Sequence, residues 1–384
     1  MEENKQFFSL LRFALGLEQE FNFYPAPKEW EQIYYIAQKQ ALVGVLYQAL
    51  NDLQTEQRPP KQIVLRWALQ AESIRKLNLL MNSECARLTA LFESQGHNSV
   101  ILKGQANARL YPNKLSRHPG DIDIYVNGGL ECITEMLIKN DMLEKKPVVD
   151  YKASPHEAAL SYHHIHLPPN EKGATVEVHF RPSSDNYNPL TNKRLQLFLD
   201  KEILTTKMVC EGFYVPSIRF ALIMQLSHIQ HHFLSGGIGL RQICDYLMLL
   251  QNSTENDRNI VSEHLHKLGL FRTAGALMWL LKEIFNLDEY LMICKPDTFR
   301  GKMMLKDIFK GGNFGQYNLD NPVMQIKPWK RFFLSKRSHI KLIRFDFREI
   351  FWAELLYWKC IIITLPERIR RRSLSLSNPR IDRQ

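Results

Sequence analysis

Two aspartates one residue apart, Asp121 and Asp123, open the apolar run Ile122-Asp123-Ile124-Tyr125-Val126. On a strand, side chains alternate faces, so both carboxylates point one way while Ile122 and Ile124 point into a core. Two such carboxylates, about 6–7 Å apart along the strand, can share divalent metal ions of the kind a nucleoside triphosphate needs in order to react in line. Upstream, Val100-Ile101-Leu102 ends in Lys103-Gly104, and a helix-compatible stretch separates the two apolar runs.

Further along, Thr175-Val176-Glu177-Val178-His179 reads as a strand with Glu177 and His179 on one face. At Gly104 and Asp121-Ile122-Asp123 the chain resembles the DNA polymerase β-like nucleotidyltransferase superfamily. The fuller wording is most similar to the bacterial nucleotidyltransferase family 5 group: LKG at 102–104, LYP at 110–112, Arg117, GDIDIYV at 120–126 and VEVHFRP at 176–182. The resemblance covers about 99–182 and is weaker in the flanking helices. It implies a metal-bound triphosphate, with Asp121, Asp123 and Glu177 as the three carboxylates. Many superfamily members carry Gly-Gly or Gly-Ser nearer the aspartates, whereas here the turn is Lys103-Gly104, sixteen residues before Asp121.

Elementary chemistry supports the same roles. Gly104 removes a side chain where strand turns into helix, so phosphate oxygens can approach backbone N–H groups. Lys103 or Arg117 would neutralise triphosphate charge. Asp121 and Asp123 would hold Mg²⁺ (or Mn²⁺), and Glu177 would serve as third ligand or as base toward the acceptor hydroxyl.

The histidines admit two readings. His163, His164 and His166 lie on a predicted strand, with His164 and His166 sharing a face. His and Glu on adjacent strands can make a zinc site. No HExxH spacing appears, so cleft-lining or core hydrogen bonding is the favoured reading, with His179 near the nucleotide. His228, His231 and His232 fall on a predicted helix, where His228 and His232 face together, again suiting a metal or a cleft wall. Arg241 and Asp245 share that spacing and are expected to pair within their helix.

These residues need a scaffold. The chain has 384 residues, 45% hydrophobic and 23% charged, ordinary for a globular protein and more than one core usually serves. The expected architecture is α+β: a small mixed-sheet nucleotidyltransferase core at 96–185, after a helical region at 1–95 and before a helical domain at 186–325. A basic aromatic helical tail at 326–384 completes it. Apolar residues at three- and four-residue steps predict helices in FFSLLRFALGL, WEQIYYIAQKQALVGVLYQAL and the long run after Pro60. Strands are expected at 99–103, 121–126, 145–151, 160–167 and 174–180, with 168–173 as a hairpin loop.

No segment supplies roughly 18 consecutive apolar residues for a membrane span, and the N-terminus lacks a signal peptide's basic start and apolar core. The six cysteines are scattered without a CxxC pair, which fits reduced thiols and a cytoplasmic location. Residues 325–384 carry 15 Lys or Arg against 5 Asp or Glu, which accounts for the whole net charge of +10. Nucleic-acid binding is therefore not indicated for the main body. In the tail, Phe347, Phe351, Leu355, Trp358 and Ile362 repeat at helical steps and are expected to dock on the body. Beside Arg368, Arg370, Arg371 and Arg372, the same face also suits an anionic membrane surface or another polyanion through residues 330–384.

The leading expectation is a nucleotidyltransferase that moves a nucleoside monophosphate from a triphosphate such as ATP to an acceptor hydroxyl. The alternative is a nucleotide-binding or interaction module that no longer reacts.

Overall fold

The computed structural model describes residues 4–143, 163–168, 174–183, 186–313 and 328–370. Four helices come first: α1 (Lys5–Ala14), α2 (Pro27–Lys39), α3 (Val43–Ala49) and α4 (Lys61–Ser94). Proline at the first position of α2 costs no hydrogen bond, and the Glu29 carboxylate accepts the Ala26 N–H at 2.6 Å. The run expected from Trp30 to Leu50 breaks at Ala41, whose φ of 56° no helix contains. Helix α4, 34 residues long and so about 50 Å, is the spine. Ile63, Trp67 and Ile74 pack among the other helices, while Met81, Cys85, Leu88 and Phe92 lie under the sheet.

The sheet follows. Strand β1 (Ser99–Ile101) leads to the one-turn helix α5 (Gln105–Ala108), then β2 (Ile122–Val126), helix α6 (Gly129–Lys139), β3 (His164–His166) and β4 (Val176–His179). The order is β1-β2-β4-β3, with β2 and β4 parallel and both outer pairings antiparallel. One face is apolar: Ile101, Ile122, Ile124, Ile165, Val176 and Val178 join α4 and α6 in one core. The other face carries Asp123, Glu177, His179, His164 and His166, as alternation requires. The strand expected at 145–151 lies outside the described residues, as do positions 160–162 of its successor and 169–173 of the loop between β3 and β4.

Beyond the sheet run α7 (Pro189–Glu202), α8 (Ile218–Ser235), α9 (Leu240–Gln251), α10 (Glu255–His264), α11 (Phe271–Phe285) and α12 (Thr298–Gly311). A two-stranded hairpin, β5 (Thr206–Met208) and β6 (Tyr214–Pro216), interrupts the region read as wholly helical. Three-residue strands are too short to announce a period of two. Buried residues of α1–α4, α7–α9, α11 and α12 form one continuous apolar core. The expected α+β architecture is what the chain adopts. No described helix is long and apolar enough to cross a membrane, and the described cysteines are free thiols.

Helix α13 (Pro328–Arg370) is broken at Asp346 (φ −147°, ψ 94°). Its halves fold back on each other: Lys336 and His339 both reach Glu354, and Lys336 lies 3.8 Å from the centre of the Tyr357 ring. The Asp346 carboxylate caps the second half, accepting the N–H groups of Arg348 and Glu349. The break is also what docks. Phe345 packs on Phe233, Asp346 pairs with Arg272, and Glu349 accepts the Tyr187 N–H at 2.8 Å. The docking stripe read from the sequence is the wrong face. Phe347, Phe351, Leu355, Trp358 and Ile362 are all exposed, and Phe345, Ile350, Ala353 and Ile361 are buried instead. The whole stripe lies after the break, where the helix carries apolar residues on two sides; a period shows that a side is apolar, not that the body covers it.

Candidate active site

Strand β2 sits between β1 and β4, and its register sets the site. Asp123 lies directly beside Glu177 on the neighbouring parallel strand. Asp123 is 3% exposed, yet its Oδ1 meets two nitrogens, Lys103 Nζ at 3.1 Å and His179 Nε2 at 3.1 Å. His179 Nε2 also stands 3.5 Å from Glu177 Oε2, so the imidazole bridges the two carboxylates. Burial works against charge on His179, but its bonds to Asp123 and Glu177 prevail and hold its pKa above the ordinary value. Burial likewise pushes Glu177 up, and the His179 bond with the surrounding positive groups overcomes it, leaving the carboxyl well below its usual range. The Nδ1 atom of His179 is buried with no hydrogen-bond partner.

Asp121 precedes the first ladder residue of β2 and stands exposed at the mouth of the cleft. Partial desolvation there, followed by repulsion from Glu177 and Asp123, raises its carboxyl pKa. Asp121 and Asp123 line the cleft, Glu177 stands beside Asp123 in register, and carboxylate oxygens are the donors a hard divalent cation takes. Among the described residues, Asp123 and Glu177 bring ligand atoms within 4.8 Å of one another together with His179, in a group that does not include Asp121.

The opposite wall begins at the β1 turn. Gly104 has φ +64°, a conformation that strains any residue with a Cβ. The helix expected from Gln105 to Leu110 closes after one turn, and the N–H groups of Ala106, Asn107 and Ala108 are spent on Lys103 and Gly104 carbonyls. A phosphate cradle built on a helix dipole is therefore weaker than the sequence suggests, and the cation at this turn is Lys103. Its Nζ lies between Asp123 and His228 Nε2, the latter at 3.3 Å. Burial, then the Lys103 charge, keeps His228 well below its ordinary pKa, so its neutral ring can accept from Lys103. The expected shared face of His228 and His232 is present, with ring centres 4.2 Å apart. His228 lines the cleft with Asn107, Gln225 and Arg241.

Arg117 is turned to a different task. Its Nε and Nη2 grip Asp245 at 2.7 Å each, and its Nη1 donates to the His118 carbonyl at 3.2 Å. Burial opposes its charge, and Asp245 more than restores it, raising the pKa. The intrahelical Arg241–Asp245 pair is thus replaced: Asp245 also accepts from Tyr111 at 2.8 Å, and Arg241 donates to the His118 and Pro119 carbonyls. Burial and the neighbouring Arg117 lower Arg241 to about 10. Asn78 adds bonds to the Leu115 and Arg117 carbonyls. On the other side the loop presses on α3, where a Cβ on Gly44 would stand 2.2 Å from the Ser116 carbonyl oxygen. These contacts fix the 112–119 loop that delivers Asp121 to the cleft.

Asn107, Gln225 and Arg241 were not among the residues singled out for the cleft from sequence. Asn107 and Gln225 exchange reciprocal side-chain bonds at 3.0 and 2.7 Å, tying the β1 turn to α8. A signal was available: Gln225, His228 and His232 form a polar seam at helical spacing along an otherwise apolar α8.

A family model described as an uncharacterised nucleotidyltransferase matches residues 26–286. No curated protein and no solved structure matches the chain. The match spans well over half of the 384 residues, and the chain belongs to that family.

Proposed function

We propose that this member of the uncharacterised nucleotidyltransferase family moves a nucleoside monophosphate from a nucleoside triphosphate to an acceptor hydroxyl, releasing pyrophosphate. The observation that carries the reading is the parallel β2–β4 register. It sets Asp123 beside Glu177, with Lys103 on the same carboxylate.

Asp121, Asp123 and Glu177 would hold Mg²⁺, which supplies charge neutralisation at the α-phosphoryl group and its leaving oxygen. Lys103 binds the triphosphate, and to do so its ammonium leaves Asp123 for phosphate oxygens. The acceptor oxygen would form a bond to the α-phosphorus as the bond to the β-phosphate oxygen breaks, and the acceptor's proton would pass to a base, the role proposed for Glu177. His179 orients Asp123 and Glu177 from behind. The fixed 112–119 loop and Gly104 keep both walls at their spacing, which is what positioning contributes to such a reaction.

The test pairs transfer with binding. Asp121→Asn with Asp123→Asn is expected to abolish label transfer from an α-labelled triphosphate while the protein stays folded. Unchanged transfer by that purified double variant would sink the assignment. One observation favours the alternative of a binding module without turnover: Lys103 and His179 already occupy Asp123 Oδ1. Calorimetry with Mg²⁺ and a non-hydrolysable triphosphate separates the two. Tight binding without turnover across an acceptor panel supports the module.

A further inference from the structure

The polar face of the sheet holds more than three carboxylates. In the antiparallel β3–β4 ladder, His164 stands opposite His179 and His166 opposite Glu177. Four side chains thus form a two-by-two patch on one face, and directly opposed positions bring Cβ atoms to about 4.5–5.5 Å. The ligand atoms of His164, His166 and Glu177 all lie within 4.8 Å of one another. Imidazole pairs of this kind are not what a hard cation selects; they suit zinc and its neighbours in the transition series.

The hydrogen bonds around the two rings sharpen this. His164 Nδ1 meets His163 Nε2 at 2.9 Å, and His166 Nδ1 lies 3.4 Å from Glu177 Oε1. If His164 Nδ1 carries that ring's proton toward His163, its Nε2 presents a lone pair, and His166 Nε2 stands 2.9 Å from it. A second ring nitrogen that donates to a carboxylate or another acceptor is also how metal-bound imidazoles are oriented. His166 is 63% exposed while His164 and Glu177 are each at 16%. The patch therefore opens to solvent on one side, leaving room for a fourth ligand, as in three-ligand zinc sites.

We propose that His164, His166 and Glu177 form a binding site for a divalent transition metal such as Zn²⁺, with His163 positioning His164 from behind. The site adjoins the proposed magnesium set, to which Asp121 and Asp123 belong, and shares with it the single carboxylate Glu177. It does not depend on nucleotidyl transfer taking place.

The test uses full-length, untagged protein, with Co²⁺ as spectroscopic probe and Zn²⁺ affinity measured against a chromophoric chelator. The wild type is expected to give the intense visible bands of four- or five-coordinate Co²⁺ and to lose them when Zn²⁺ is added. His164→Ala with His166→Ala should weaken Zn²⁺ binding by at least about 100-fold, and His163→Ala by about 10-fold, as loss of an orienting partner does. Asp121→Asn should leave Zn²⁺ affinity unchanged while removing Mg²⁺-dependent triphosphate binding, and His166→Ala should do the reverse. A double variant that binds Zn²⁺ as tightly as wild type, or a wild-type Co²⁺ spectrum no different from the hexaaquo ion, overturns the site. Neither result bears on the magnesium reading, which Asp121→Asn reports by itself.

Discussion

Lys103 is the residue on which the cleft turns. Its ammonium is held by Asp123 on one side and neutral His228 on the other, and in the proposed reaction it would be the cation that meets the triphosphate. Replacing it with methionine keeps the length of the stem and removes the charge. Lys103→Met is expected to lower Mg²⁺-dependent triphosphate affinity by about tenfold or more, the worth of one charge-assisted bond of roughly 1.5–3 kcal/mol. Calorimetry beside a thermal melt checks it, and equal affinity in a folded variant would remove Lys103 from the binding role. At this scale alternation along the strands put Asp123 on the same face as Glu177 and His179, as the register shows, because spacing within a strand fixes which way a side chain points. The sequence was misleading for Arg117. A buried arginine whose Nε and both Nη atoms all donate to Asp245 and a carbonyl looks, in sequence, the same as one aimed at phosphate.

At the scale of elements, the 112–119 loop is clasped by one buried ion pair and one glycine. Removing Arg117 leaves Asp245 charged and uncompensated in the interior. Arg117→Met should therefore destabilise by about 3–5 kcal/mol. The double change Arg117→Met with Asp245→Leu should recover much of that loss, since neither member of the pair is then left without the other. Urea unfolding of the three variants measures the coupling, and strict additivity would show that the pair does not act as a unit. Gly44→Ala would force the loop off α3, because the added carbon meets the Ser116 carbonyl oxygen at 2.2 Å. A loss of stability of about 1–3 kcal/mol, typical of overpacking, is expected in the same measurement. Helices α1, α4, α8 and α9 were legible in the sequence. The β5–β6 hairpin was too short to show a period, and α5 closed early because the chain after it must run along Tyr111 and Arg117 toward Asp245.

For the whole molecule, one apolar core joins the first helices to those after the sheet, and α13 is pinned to it at its break. Phe345 is fully buried against Phe233, so Phe345→Ala should cost about 3–5 kcal/mol and free the hairpin from the body. Limited proteolysis near residue 346, faster in the variant, would show it. The same junction makes stability pH-dependent. Burial raises the Glu349 carboxyl from 4.5 to about 7, against the pull of the Tyr187 and Asn188 N–H groups. The folded protein therefore keeps a proton that the unfolded chain has lost between those values, and stability falls as pH rises through that window. Glu349→Gln stays neutral and still offers an oxygen to both N–H groups. Its melting temperature should decline less from pH 4.5 to 7 and should exceed that of the wild type above pH 7. Parallel curves for the two proteins would exclude Glu349 as the source.

The sequence by itself determined the strands that carry carboxylates, the face those carboxylates share and the mixed class of the fold. Each of these follows from a period of two or of 3.6, which is a property of neighbours in the chain. Tertiary structure alone decided which cation reaches Asp123, where Arg117 goes, which side of the tail is covered and how three histidines meet one glutamate. Lys103 and His228 are 125 positions apart, and Arg117 and Asp245 are 128 apart. No local pattern encodes such pairings; they are settled when α8 and α9 pack across the sheet and burial forces each charged group to find its partner.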